Sequence, residues 1–364
     1  MKILCIDIGA GTQDILLFDS TTEIENCLQL VMPSPTVLVA NQIRAATRRG
    51  ETILLTGTTM GGGPNSWAAE DHVRAGLPIF ATRAAALSFN DELDKVEASG
   101  IRVVSADEAR KLDATRVEMR DVNLDAIARA LEAFGAPFQF DALAVAVFDH
   151  GNAPPGMSDR TFRFEFLAER IRATGKLSGF AFMRAEIPER LTRMRATADA
   201  IAAATPLLLM DTAPAAVCGA LDDARVAAAP NALVANLGNF HALAFRFTDG
   251  KITGLFEHHS GEIKPAQLEH FLRRLADGSL TNDEIFNSQG HGAVMFDTQP
   301  QPLDFLAVTG PRRSMLRDSK LNPYFAVPYG DMMLAGAFGL LHAYADLNPD
   351  AAAEIENAMA KSRP

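Results

Sequence analysis

Apolar residues in this chain fall into short runs separated by polar, glycine-containing turns, which is the pattern of buried strands. Such runs predict strands at residues 2–8, 13–18, 24–31, 52–55, 141–148 and 206–210. A helix is expected after the third strand, with Ser34 as its N-cap, Pro35 in its first turn and Gly50 just beyond its end. Further helices are predicted at 161–172 and 213–221.

The second half of the chain repeats the pattern of the first. Residues 231–247 can be laid on the opening segment so that Asn236 falls on Asp7, Gly238 on Gly9 and His241 on Thr12. A strand at 251–256 and a helix at 265–276 then follow, in the order seen after the opening segment. The repeat predicts an α/β fold made of a duplicated unit. Small residues should let two of its later helices approach closely: Ala215, Ala216, Gly219, Gly336 and Gly339.

Length and composition fit two lobes. The chain has 364 residues, 48% of them hydrophobic. A chain of this length usually divides into two domains, each with its own hydrophobic core. We expect lobe I at residues 1–204, with an inserted subdomain at about 58–140 in which no pattern is recognisable. Lobe II is expected at 205–364, with a C-terminal helix at about 331–346 that links the lobes.

Charge and cysteine content narrow the class of protein. The net charge of −11 argues against a nucleic-acid surface, and no apolar run approaches the length of a membrane span. The first residues lead straight into a strand, without the pattern of an export signal. Cys5, Cys27 and Cys218 are too scattered for a disulfide framework or a metal knuckle. We therefore expect a cytoplasmic protein that binds neither nucleic acid nor membrane.

The first turn, GAGT at residues 9–12, is longer than a chain reversal requires. Its glycines would expose a row of backbone N–H groups, and such a row binds anions, phosphate above all. The alternative is a wide hairpin with a bulge at Gly9. The same types of residue recur at the ends of other predicted strands: FDHG at 148–151, DTAP at 211–214, NLGN at 236–239 and EHHSG at 257–261. Ligands of open α/β sheets bind at such strand ends.

Five motifs together resemble those of one superfamily. IDIGAGTQD and ANLGNFHAL resemble its two phosphate motifs, AVTGPRR its adenosine motif, and DTAPAAVCGAL and PYGDMMLAGAFG its connecting helices. The chain is thus similar to the two-lobed ATPases of the actin, heat-shock chaperone and sugar-kinase superfamily. The resemblance implies a duplicated, ribonuclease H-like fold with a central nucleotide cleft. Within the superfamily the chain resembles an uncharacterised branch sometimes labelled as pyruvate formate-lyase activating. That label implies an iron–sulfur cluster held by three closely spaced cysteines, which this sequence lacks.

The resemblance implies ATP and Mg²⁺ as cofactors. Asp7 would hold Mg²⁺ through water, amides of the two turns would bind the phosphates, and Gly310 with Arg312 or Arg313 would hold the adenosine. The implied cofactor-binding residues are Asp7, Gly9, Ala10, Gly11, Thr12, Gln13, Asn236, Gly238, Asn239, His241, Gly310, Arg312, Arg313 and Gly330. A second, unidentified substrate, either a small molecule or a protein, would make the chain a kinase or an ATP-dependent activator. Oligomers are compatible with this interpretation.

One departure from the superfamily pattern bears on turnover. Asn236 stands where the second phosphate motif usually opens with an acid, and an amide cannot accept a proton. The base would then lie elsewhere, with Asp149, His150 and Asp211 as the catalytic candidates. Otherwise the protein would be a nucleotide sensor or scaffold that does not hydrolyse ATP.

Five histidines lie beside glycines or acids in predicted loops: His150, His241, His258, His259 and His291. His258 and His259 end a strand near the Asn236 turn, and His150 ends a strand of the other lobe, so they could face one cleft. Glu257, His258 and a third partner such as His259 could bind a transition metal, because imidazole and carboxylate suit these ions. The alternatives are acid–base chemistry beside the phosphate, or a metal-dependent hydrolase that reuses the fold.

Overall fold

The computed structural model describes residues 1–301, 303 and 305–362. Strands of the first half are β1 Lys2–Ile8, β2 Thr12–Asp19, β3 Leu28–Pro33, β4 Ile53–Gly57, β5 Ile79–Thr82, β6 Arg102–Val104, β7 Thr115–Met119, β8 Ala142–Val147, β9 Ala181–Met183 and β10 Leu207–Asp211. Strands of the second half are β11 Ala232–Leu237, β12 His241–Thr248, β13 Lys251–His259, β14 Gly292–Met295, β15 Leu306–Thr309 and β16 Tyr324–Phe325.

Fourteen α-helices accompany these strands in the described part of the chain. They are α1 Pro35–Arg49, α2 Pro64–Arg74, α3 Arg83–Ala86, α4 Leu93–Ala98, α5 Ala106–Lys111, α6 Leu124–Glu132, α7 Asp159–Thr174, α8 Thr192–Asp199, α9 Thr212–Ala220, α10 Ala224–Ala227, α11 Pro265–Ala276, α12 Asn282–Asn287, α13 Ala335–Leu347 and α14 Pro349–Lys361. None of them is both long and apolar enough to cross a membrane.

Two six-stranded sheets form the main framework of this α/β protein. The first has the order β3-β2-β1-β8-β10-β9, and the second β14-β13-β12-β11-β15-β16. In the first sheet β8 and β10 run parallel to β1, whereas β2 is antiparallel to β1 and to β3. In the second, β15 and β16 run parallel to β11, whereas β12 is antiparallel to β11 and to β13. Five strands of each sheet therefore follow the same order and the same directions.

A third, four-stranded sheet is inserted within the first repeat, between β3 and β8 in sequence. Its order is β6-β5-β4-β7 and all its strands are parallel. Side chains of α1, among them Val39 and Ile43, share a hydrophobic core with Ile53 and Leu55 of this sheet. The segment that showed no pattern in the sequence thus begins its sheet at β4, and α1 packs on it. Its short strands, such as the three residues of β6, explain why no pattern was visible.

Helices α9 and α13 cross closely between the two large sheets. A β carbon on Gly219 would overlap the carbonyl oxygen of Ala335, and one on Gly339 would overlap that of Ala215. This confirms that small residues permit the close approach. Helix α13, from the end of the chain, packs on the first sheet through residues such as Phe338, while α9 packs on the second sheet. Each large sheet is thus covered by a helix from the other half of the chain.

One local prediction differs from the structure, and another is confirmed. The predicted strand at 24–31 opens instead as a 3₁₀ turn, Ile24–Asn26, and the strand follows as β3. Ile24 and Cys27 are buried here while the residues between them are exposed, and burial at every third residue suits a 3₁₀ turn, whereas a strand buries every second residue. Helix α1 has the predicted Ser34 cap, with Val37 N–H donating to the Ser34 side chain at 3.4 Å.

Candidate functional site

A cavity of about 1140 Å³ lies between the two large sheets and the four-stranded sheet. Both glycine turns reach it: Gly9, Ala10 and Thr12 line it from the first sheet, and Gly238, Asn239, Phe240 and His241 from the second. Residues 60–63 of the four-stranded region close a further side. The polar strand ends predicted from the sequence therefore come together around one space.

The two turns have the same backbone structure. In the first, the amide of Gly9 donates to the carbonyl oxygen of Thr12 at 2.9 Å; in the second, that of Gly238 donates to the carbonyl oxygen of His241, also at 2.9 Å. The two residues that follow the glycine in each turn are Ala10 and Gly11, and Asn239 and Phe240. The amides of these four residues donate to no other described residue. Each turn thus has two free N–H groups at equivalent positions.

The turns also touch. A β carbon on Gly11 would lie 2.5 Å from Nδ2 of Asn239, so a larger residue at either position would separate the turns or displace the amide side chain. Asn236 lines the cavity, and its Oδ1 lies 2.5 Å from where a β carbon on Gly310 would stand. Gly310 has a φ of +94°, a backbone conformation that favours glycine.

Two buried carboxylates lie beside the first turn. Asp7 and Asp14 are opposite each other on β1 and β2, both line the cavity, and each is less than a tenth exposed. Burial raises the pKa of Asp7 to about 7, and burial together with the neighbouring Asp7 charge raises the pKa of Asp14 to about 8. Thr212 donates to Oδ1 of Asp7 at 2.5 Å, whereas Oδ1 of Asp14 has no hydrogen-bond partner among the described residues.

The three catalytic candidates differ sharply in their surroundings. Asp149 is buried and accepts hydrogen bonds from the amides of Gly151 at 2.8 Å and Met194 at 2.9 Å. Asp211 is buried, caps α9 and forms an ion pair with Arg163, and it does not line the cavity. His150 lines the cavity with an exposed side chain. Of the three, only His150 presents an unengaged polar side chain to the cavity.

Four histidines meet at the cavity wall. His150, His241, His259 and His291 all line it, and their neighbouring ring centroids lie 4.6–5.5 Å apart. His241 also stacks on Phe148, with ring centroids 3.9 Å apart. Partial loss of hydration at the cavity wall and the neighbouring His291 lower the pKa of His150 to about 3 and that of His259 to about 4. Burial likewise holds the pKa of His241 well below its usual value.

The structure groups the possible metal ligands differently from the sequence prediction. Glu257 is fully buried and interacts with Arg163 and His291, whereas the ring nitrogens of His258 lie 3.0 Å from the carbonyl oxygen of His259 and 2.9 Å from that of Ser288. Neighbouring residues of a strand point to opposite faces, so Glu257 and His259 lie on one face of β13 and His258 on the other. The group whose ligand atoms all lie within 4.8 Å of one another is His150, His241 and His291.

The other residues proposed for nucleotide binding are more scattered. Gln13 donates through its amide side chain to the carbonyl oxygen of Pro33 at 3.0 Å, and Arg312 donates to that of Ser260 at 2.7 Å. Arg313 donates to the carbonyl oxygen of Gly310 at 3.3 Å. These three residues and Gly330 do not line the cavity. Met332 and Met333 line it instead.

One important residue gave no signal in the sequence. Arg163, on α7, is fully buried and binds Asp211 of the first sheet and Glu257 of the second. Its Nη1 also donates to the carbonyl oxygen of Asp149 at 3.1 Å, and its guanidinium lies 4.2 Å from the centre of the Phe148 ring. Arg163 therefore links the two large sheets through its ion pairs, next to the four histidines. Only three-dimensional contacts reveal this role, because Arg163 lies in an ordinary amphipathic helix.

A sequence model of one protein family, described as "Putative pyruvate format-lyase activating enzyme (DUF1786)", matches residues 60–315, well over half of the chain. The chain belongs to the DUF1786 family. This confirms the expectation of a branch labelled in that way. The matched DUF1786 region contains the second turn and the four cavity histidines, and it begins after the first turn. No curated protein matches the chain.

The cysteines of this DUF1786 member lie in separate places. Cys5 is buried in β1, Cys27 is buried just after the 3₁₀ turn, and Cys218 is on α9. Among the described residues, the group of close potential metal ligands consists of histidines and contains no cysteine.

Proposed function

We propose that the cavity binds ATP as its magnesium complex, and that the protein is an ATPase or a phosphotransferase acting on a small molecule or a protein. The observation that carries this proposal is the pair of matching turns, each with two free amides, that meet at one cavity. Backbone N–H groups arranged in this way favour phosphate, which can accept several hydrogen bonds at once. Two turns from opposite sheets can bind different phosphates of one polyphosphate chain.

The arrangement of the sheets supports the superfamily resemblance. The shared strand order of the two large sheets and the crossing of α9 and α13 are what a duplicated actin-like ATPase fold requires. In that fold the nucleotide lies between the two halves. We therefore assign the cavity as the nucleotide cleft, with the adenosine toward Gly310, Met332 and Met333.

The buried acids fit a magnesium ion. Mg²⁺ prefers carboxylate oxygens and retains most of its bound water, which suits a cavity wall with one or two carboxylates. Asp7 and Asp14 would hold it, and burial together with the neighbouring carboxylates raises the pKa of both. When bound, the ion would offset the charge of the phosphates. Oδ1 of Asp14, which has no hydrogen-bond partner among the described residues, could coordinate such an ion.

The proton acceptor of the reaction is expected at the histidine cluster. Asn236 cannot accept a proton, and the carboxylates of Asp149 and Asp211 are already engaged by backbone amides or by Arg163. His150, His241 and His259 face the cavity, and their lowered pKa values keep these three rings neutral at pH 7. A neutral imidazole can accept a proton from water or from a second substrate.

Calorimetry with a non-hydrolysable ATP analogue and Mg²⁺, combined with a phosphate-release assay, tests the proposal. Wild-type protein should bind the analogue and release phosphate from ATP, and Asp7→Asn should weaken both by at least about tenfold. Asp318→Asn is the matched control, because Asp318 is exposed and does not line the cavity. Tight binding without phosphate release would show a nucleotide sensor. Absence of nucleotide binding would refute the proposal.

A further inference from the structure

The histidine cluster has features that phosphate binding does not explain. His150 follows β8 of the first sheet, whereas His241 opens β12 and His291 immediately precedes β14 of the second. One ring nitrogen from each lies within 4.8 Å of the others. Three segments that are distant in the chain thus bring three imidazoles to one point at the cavity wall.

Hydrogen bonding fixes which nitrogen of His291 faces the cluster. Glu257 is paired with Arg163 and is therefore an ionised, accepting group, so Nδ1 of His291 donates to its Oε2 at 3.0 Å. In a neutral imidazole the lone pair is then on Nε2. His291 is only 1% exposed, and its Nε2 has no hydrogen-bond partner among the described residues. Nε2 of His241 is also buried and also has no hydrogen-bond partner among the described residues.

Unpaired buried nitrogens are destabilising unless something binds them, since a buried polar group loses its hydrogen bonds to water without replacing them. Stacking with Phe148 accounts for the ring packing of His241, but it leaves the nitrogen unpaired. We propose that His150, His241 and His291 bind one divalent transition metal ion of the zinc class. Imidazole nitrogens suit such ions, whereas Mg²⁺ selects oxygen.

The Glu257 carboxylate accepts a hydrogen bond from Nδ1 of His291, the ring nitrogen that would not bind the metal. Metal-binding histidines commonly donate to a carboxylate in this way. An acid that accepts from the far nitrogen of the imidazole fixes the ring orientation and strengthens the near nitrogen as a ligand. Arg163 holds Glu257 from the other side through two hydrogen bonds of 3.1 Å. His291 is thus fixed through a chain of polar contacts, while the exposed His150 can move toward the ion.

Three protein ligands would leave one position open toward the cavity. The three nitrogens, all within 4.8 Å of one another, can converge to zinc–nitrogen bonds of about 2.0–2.1 Å by small side-chain rotations. The open position can take water or an oxygen of a substrate. In this state a metal-bound water, and not the His150 ring, would be the acid–base group facing the cavity. The site is additional to the magnesium site at Asp7, because it consists of imidazoles and shares no residue with Asp7 and Asp14.

The test uses tag-free protein that has been stripped with a chelator and reloaded. Zinc content by elemental analysis should reach one ion per chain, and cobalt should give the intense visible absorption of a tetrahedral site. His150→Ala and His241→Ala should each weaken cobalt binding at least tenfold, while the exposed His270→Ala, on α11, should not change it. His150 is exposed, so its replacement should leave folding intact, and circular dichroism checks this.

The proposal of a metal site and the proposal of a nucleotide site can be refuted independently of each other. Asp7→Asn should leave cobalt binding unchanged, because Asp7 is not one of the three ligands. The proposal is refuted if cobalt gives only an octahedral spectrum, if the protein binds no zinc, or if His270→Ala reduces binding as much as His150→Ala does.

Discussion

The carboxylate of Asp7 occupies the space that a β carbon on Gly336 would need. Gly336 is in the first turn of α13, the helix that covers the first sheet, so the sequence at the C-terminal end determines where a cavity acid can lie. The two residues are far apart in sequence, so the sequence alone does not indicate that they are in contact.

We expect Gly336→Ala to displace Asp7 and to weaken binding of magnesium nucleotide at least tenfold. Overpacking should also lower the free energy of unfolding by about 1–3 kcal/mol. Calorimetry and urea unfolding measure the two effects. Gly261→Ala is the matched control, because a β carbon there meets nothing within 4 Å. Unchanged binding in Gly336→Ala would show that Asp7 has no part in the site.

The contact between the two turns predicts a specific rescue. Gly11→Ala should push the Asn239 side chain away and weaken nucleotide binding, since its β carbon would lie 2.5 Å from Nδ2. Asn239→Ala removes that obstacle, so the double variant should bind better than the sum of the single effects predicts, with a coupling of about 0.5–3 kcal/mol. Calorimetry of the four proteins gives the coupling directly. Additive effects would mean that the turns act independently.

The raised pKa values of Asp7 and Asp14 predict a pH dependence of stability. Both groups bind a proton more tightly in the folded than in the unfolded chain, so folding stability should fall as the pH rises from about 4 to about 8. Asp14→Asn should raise the free energy of unfolding at pH 8 by about 1–3 kcal/mol in the absence of Mg²⁺, and should have little effect near pH 4. Urea unfolding at both pH values measures this, with Asp318→Asn as the control. A change of equal size at both pH values would exclude titration of Asp14 as the cause.

Arg163 should be essential for stability. Arg163→Met removes the partner of two buried acids, Asp211 and Glu257, and should cost about 3–5 kcal/mol in the free energy of unfolding. Arg48→Met is the control, because Arg48 is exposed. Chemical unfolding compares the two. A cost below about 1 kcal/mol for Arg163→Met would mean that the acids find other partners.

The single tryptophan offers a probe of the second turn. Trp67 makes an edge-to-face contact with Phe240, one of the turn residues with a free amide, with ring centroids 5.5 Å apart. Nucleotide binding should therefore change the tryptophan fluorescence, and Phe240→Leu should reduce the change. Titration of the intrinsic fluorescence with magnesium nucleotide measures it. A signal that is the same in both proteins would place the ligand away from this turn.

Much of the framework was accessible from the sequence because its signals are local or repeated. The Ser34 cap, the exact span of α11 and the correspondence of Gly9 with Gly238 follow from caps, periodicity and glycine spacing. The presence of both turns at one cavity follows from that repeat and from the rule that parallel strands end at the same edge.

What could not be predicted depends on contacts between distant segments. Glu257 and His258 are neighbours in sequence, yet one joins Arg163 and His291 while the other turns away to Ser288. The strand alternation was visible, but not which face of β13 meets the cavity. Likewise, of the four-stranded sheet only β4 was predicted, at 52–55, because β5, β6 and β7 are short and only partly buried.

The crossing of α9 and α13 has a consequence for how the protein is made. The strands of the first sheet are synthesised before the helix that covers it, because that helix comes from residues 335–347. On the ribosome, the apolar face that receives Phe338 and Leu341 therefore stays uncovered until those residues have emerged. A nascent chain that is halted before that helix is made would expose this apolar surface to solvent. It should therefore depend on chaperones, whatever ligand the finished molecule binds.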